Sequence, residues 1–144
     1  MVNQDTIKLL RECDAGVKMG VSSLSDVLGY ISDGEFKELI NKCLDEHKKL
    51  DGEINNLLEK YNDDGKEPAA VAKGMSWIKT NVMLAVNESD NTVADLVTDG
   101  CNMGVKSLNK YLNKYKAAEE VSKDIAKRLI NLEEELTVNI RKYL

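Results

Sequence analysis

His47 is the residue best suited to chemistry. It is the sole histidine in the chain, and imidazole can take up or release a proton near neutral pH. Asp14 shares its setting, an apolar helical register, between Leu10 and Val17. A short hairpin turn near Ser32 would bring His47 level with residues 17–21, about a turn from Asp14. The two then form either an acid/base couple or a polar pair buried in a core with its own hydrogen-bond partners. Glu133, with Glu134 and Glu135, reads most simply as a solvated face; adding it to the pair gives an alternative reading, an atypical single-ion metal site of Asp14, His47 and Glu133. No nucleophile constellation is found, because no second histidine is present to activate a serine. The expectation is therefore no catalytic residue, no enzyme activity and no cofactor.

Four glycines raise a separate question. Gly16 and Gly20 are four residues apart, as are Gly100 and Gly104. A glycine inside a helix costs up to ~1 kcal/mol relative to alanine, so four imply a gain elsewhere. One reading is a packing seam in which two helix backbones approach closely. The other is a ligand cavity opened by the missing side chains. A phosphate-binding loop is excluded, because these glycines lie within helices and not at a strand-to-helix turn.

The elements that carry these residues are helical. Ile7, Leu10, Val17, Val21, Leu24, Leu28 and Ile31 recur at steps of three and four, predicting a helix over 3–31. Ser32 and Glu35 read as a capping box that opens a second helix over 34–62. Asn62 to Pro68 is the clearest break, with Gly65 suited to end the helix. A shorter helix is expected over 69–86, then helices over 90–115 and 118–143. Glycine and proline are absent between the last two, and the repeat places their boundary. Residues 16–24 match residues 100–108 at six of nine positions, at an offset of 84 that carries the Ser32-Asp33 turn onto Lys116-Ala117. The chain thus reads as one domain over 1–144: hairpin 1–62, crossover 63–89, hairpin 90–144.

This architecture resembles the ferritin-like superfamily, and most of all its small, uncharacterised bacterial members. The features in common are two helical hairpins, a long crossover with the stretch Gly74-Met75-Ser76-Trp77-Ile78-Lys79, and Asp99-Gly100 near the middle of a long helix. The resemblance implies an all-α, four-helix up-down bundle with a short crossover helix. It does not carry the metal chemistry over. Ferritin-like carboxylate sites need a Glu-x-x-His on each of two helices, and one histidine cannot supply two. Lys18 and Asn102 stand after the glycines, where carboxylates would be expected, and Thr98 is the repeat partner of Asp14. No dinuclear centre is expected; Met19 and Met103 would close the space it would have filled.

The formal net charge is −5 and 31% of residues are charged, without the clustered basic face that nucleic acid needs. No apolar run approaches the ~20 residues of a membrane span, and no signal peptide is read at Met1. Cys13, Cys43 and Cys101 are odd in number and lie in helical patterns, suiting reduced, buried thiols in the cytoplasm. Trp77 and Leu84 lie seven apart, off the core face of the crossover helix; they either tuck under a neighbouring helix of the chain or form the interface of a homo-oligomer, and the expected state is a dimer. The sequence names no other protein partner. The function these features suggest is a binding or structural module.

Overall fold

The computed structural model describes residues 3–66 and 89–144. Four α-helices fill them: α1 (Gln4–Val27), α2 (Gly34–Lys60), α3 (Asp90–Lys114) and α4 (Glu120–Asn139). Single 3-10 turns, Leu28–Tyr30 and Arg141–Tyr143, follow α1 and α4. There is no strand among the described residues, and no helix there is long and apolar enough to cross a membrane. The helix expected over 69–86, with Trp77 and Leu84, lies outside the described residues.

Side chains set the helix starts. Asn3 caps α1, accepting from the Thr6 N–H at 2.8 Å, and Ser89 caps α3, accepting from the Thr92 N–H at 3.3 Å. The capping box expected of Ser32 and Glu35 does not form. Asp33 caps α2 instead, accepting from the Phe36 N–H at 2.8 Å, and Glu35 pairs with Lys142 at 2.6 Å. The reason is a tertiary tie. The N–H groups of Ser32 and Asp33 donate to the Asp90 carboxylate at 2.7 and 2.9 Å, so the Ser32 N–H is not left for Glu35 and the cap moves one residue on, to Asp33. At the far end of α2, Asn62 takes the left-handed position (φ +55°) assigned to Gly65. The Asp63 N–H reaches the Leu58 carbonyl at 2.9 Å and the Asn62 N–H reaches that of Glu59 at 3.0 Å, the double closure of a Schellman end.

The break at 115–119 falls where the repeat placed it. It is tied to α1 as the first turn is tied to α3. Asp5 accepts from the Ala117 N–H at 3.1 Å, Asn3 donates to the Ala117 carbonyl at 2.9 Å, and the Glu119 N–H donates to Thr6 Oγ1 at 2.8 Å. The leading helix of each hairpin therefore holds the turn of the other. Replacing Asp90 with Ala removes two charged acceptors from Ser32 and Asp33. The expected loss is about 1–3 kcal/mol, at the lower end for groups near solvent. Urea denaturation should show a lower midpoint at constant slope, with Asp90→Asn falling between.

The core has two apolar clusters. One joins Leu24 and Val27 of α1, Phe36 and Ile40 of α2, Val93 and Val97 of α3, and Leu136 of α4 with Ile140, which caps that helix. The other joins Leu9, Leu10 and Val17 of α1, Ile54 and Leu58 of α2, Leu108 of α3, and Ile125 and Leu129 of α4. The starts of α2 and α3 thus lie in one cluster with the ends of α1 and α4. Between the clusters, in sequence along each helix, stand Gly20, His47, Gly104 and Glu133.

Candidate functional site: a glycine-framed groove

Each glycine of the middle layer makes room for a polar side chain from the helix that follows it in its own hairpin. A Cβ on Gly20 would lie 2.7 Å from Cδ2 and 2.9 Å from Nε2 of His47, and one on Gly104 would lie 2.8 Å from Oε1 of Glu133. Real Cβ atoms do not come so close, so the glycines are what let the imidazole and the carboxyl sit where they do. The nearest atoms are side chains of α2 and α4. This differs from the expected seam, in which the backbones of the first and third helices touch. For Gly16 the neighbour among the described residues is Leu129 Cδ2, at 3.7 Å from its would-be Cβ, an ordinary contact.

Between α1 and α3 lies a cavity of about 590 Å³. Its walls are largely apolar, with Leu24 from α1, Leu96 and Leu108 from α3, and Leu136 from α4, while His47 and Glu133 form polar points in the lining. All four of these glycines, Gly16, Gly20, Gly100 and Gly104, line this one groove. Met19 and Met103, expected to close the central space, line it as well without filling it, and Met103 is 68% exposed.

His47 is 1% exposed. Its Nδ1 lies 2.8 Å from the Cys43 carbonyl oxygen, an atom that can only accept, so Nδ1 carries the proton. In the neutral ring Nε2 is then an acceptor, turned toward Gly20. Burial holds the imidazole below its ordinary pKa, partly offset by the bond to Cys43. Glu133 is buried as well, and among the described residues its Oε2 has no hydrogen-bond partner. Burial pushes its carboxyl up to about 8, so at neutral pH it is predominantly a neutral acid. The burial that deprives it of water also raises the Cys43 thiol to about 12 and the Cys101 thiol further. All three cysteines are free and buried.

Asp14 is fully buried but belongs elsewhere. Its Oδ2 accepts from Lys18 Nζ and from the Lys66 N–H, both at 2.9 Å. Gly65, at φ +78°, lies against that carboxylate in a space where no side chain would fit. The sequence places Asp14 and His47 in core registers, and both are buried, but each has its own partners. Nor are Asp14, His47 and Glu133 gathered as ligands: among the described residues, no group of three or more His, Cys, Asp or Glu is placed to hold a metal ion. Glu133 is not on the solvated face expected of Glu133-Glu134-Glu135: Glu134 and Glu135 are exposed, but Glu133 is buried because it packs into the space left by Gly104. The usable signal was an acid in an apolar register opposite a mid-helix glycine.

The two glycines of α1 predict opposite outcomes. Gly16→Ala gains helix propensity, up to about 1 kcal/mol, without a clash. Gly20→Ala drives the His47 ring from its place and breaks its bond to Cys43, for a net loss of about 1–2 kcal/mol. Thermal melts of the two variants should move in opposite directions, by roughly 2–4 °C per kcal/mol for a chain of this size. Comparison with known proteins returns no match to a family model, a curated protein or a solved structure.

Proposed function

We propose that this chain is a small-molecule-binding helical bundle of ferritin-like arrangement that works through the α1–α3 groove and has no dinuclear metal centre. The observation that carries the reading is the groove itself: about 590 Å³ of mostly apolar space, with a buried, unpartnered carboxyl, Glu133, in its lining. Binding sites for small molecules have this size and make-up, largely apolar walls with a few placed polar groups. The ferritin-like arrangement is supported by the shared cluster at the starts of α2 and α3, which a crossover between two hairpins would produce. Three free thiols suit a cytoplasmic location. Self-association through Trp77 and Leu84 remains part of the proposal, on sequence grounds.

The metal reading has less support. Asp14 is committed to Lys18 and the Lys66 backbone, which leaves His47 and Glu133 as two donors. The test of the groove is direct. N-phenyl-1-naphthylamine, a fluorescent apolar probe, should bind the purified protein one to one. Ala15→Leu combined with Ser107→Leu, which fills the groove from both walls, should weaken binding at least tenfold while circular dichroism stays unchanged. Equal binding by the filled variant, or none by the native protein, refutes the reading.

A further inference from the structure

We propose that the groove selects an apolar molecule ending in a primary ammonium group, which docks on Glu133 and exchanges for the proton that Glu133 carries when the groove is empty. The inference rests on the groove-binding reading and adds the chemical class of the ligand. Its basis is the polarity of the lining. The acids there are Glu12 on α1, Asp99 on α3 and Glu133 on α4; the histidine is His47 on α2; among the described lining residues none is lysine or arginine. An anion would enter against these acids with no cation to receive it. A neutral apolar molecule would leave Glu133 Oε2 as it now is, buried without a partner, which is the costly state for a polar group. An ammonium supplies what is missing. It has three donors and no acceptor, and the buried side chains among the described lining residues that can accept from it are the Glu133 carboxyl and His47, at Nε2.

The neighbours of Glu133 do not compete for this role. From α2 it faces Cys43 and from α3 Cys101, both thiols held protonated by burial well past pH 8. His47 is kept neutral near pH 7 by its own burial. Glu12 is paired with Lys66 at 2.7 Å, and Asp99 is exposed at the rim. On α4, Glu134 and Glu135 are exposed. Among the described residues Glu133 is thus the buried acid of the groove without a counter-ion. Docking is charge-balanced: a neutral carboxyl and an ammonium become an ion pair, and one proton leaves to solvent. A carboxyl that titrates near pH 8 in the empty groove must lose that proton first, so affinity rises with pH up to that point and flattens above it.

The experiment is calorimetric titration of the full chain with octylamine, octanol and octanoate at pH 6.0, 7.0 and 8.0, each in two buffers of different ionisation enthalpy. The expected result is that octylamine binds at least tenfold tighter than octanol at pH 8.0. Its affinity should fall severalfold to tenfold per unit below pH 7.5, with close to one proton released at pH 6–7. Glu133→Gln, which keeps shape and volume, should lose the amine preference, the pH dependence and the proton release while still binding octanol. Octanol equal to octylamine, an amine affinity independent of pH, or an unchanged Glu133→Gln variant overturns the amine assignment and leaves groove binding standing. Failure of all three ligands to bind overturns both.

Discussion

Between pH 6.5 and 8 the fold should lose on the order of 2 kcal/mol of stability, and Glu133→Gln should abolish most of that loss. Glu133 has a carboxyl pushed from 4.5 to about 8 by burial. The native state therefore holds a proton that the unfolded chain has already released. For such a group the stability is fully present below the unfolded pKa and is lost as pH rises through the folded one. The window is pH 4.5–8, at about 1.4 kcal/mol per pH unit. His47 acts with the opposite sign, because burial lowers its pKa below 6.5. The unfolded chain then takes up a proton below pH 6.5 that the native imidazole refuses, so stability rises with pH up to that point. The two slopes oppose each other below 6.5, and above it Glu133 acts alone. Cys13 and Cys43, with thiols pushed up to about 12, add a further loss only where free thiols ionise, from about pH 8.5 upward. Urea denaturation at pH 6.5, 7.25 and 8.0 isolates the effect. A native slope that persists in Glu133→Gln would show that some other group carries it.

The split between what was readable and what was not follows the range of the interactions. Helix periodicity is a local property, and the helices expected over 3–31, 34–62, 90–115 and 118–143 differ from those observed by a few residues at their ends. The hardest boundary, at Lys116-Ala117, was readable because the copy at Ser32-Asp33 has a recognisable turn. Errors arose where a distant residue decided the outcome. Asp90 takes the N–H groups of Ser32 and Asp33 and moves the cap of α2. Asp14 takes the Lys66 N–H and puts Gly65 to a different use from ending the helix. The mid-helix glycines were identified as exceptional, but their meaning depends on which helix places a side chain against them. Spacing alone cannot separate a backbone seam from room for His47 and Glu133. His47 stands out as an exception to an apolar register, whereas Glu133, one of three consecutive acids, reads as part of a solvated face and only as the rough repeat partner of His47; the packing of α3 against α4 is what buries it against Gly104.

The largest purely structural effect is expected at Phe36. Phe36→Ala should cost about 3–5 kcal/mol and lower the melting temperature by roughly 10 °C. The ring is fully buried in the first turn of α2, and it stacks on Tyr143 with centroids 4.5 Å apart and planes 6° from parallel. Its cluster draws on all four helices, with Val27, Ile40, Val93 and Leu136 among its members. A void there cannot close by moving one side chain, because its walls are rigid helix ends, two of them fixed by the tie from Asp90 to the first turn. That places the cost toward the upper part of the range for large-to-small changes, where collapse is poor. The stacking predicts a second signature. The 3-10 turn Arg141–Tyr143 follows α4 and rests on Phe36 through Tyr143, so Phe36→Ala should speed tryptic cleavage after Arg141 and Lys142 at temperatures well below unfolding. Phe36→Leu, which refills most of the space but removes the stack, should recover more than half of the stability and keep the faster cleavage. If Phe36→Leu restored the native cleavage rate, the aromatic stack would have no part in holding the C-terminal turn.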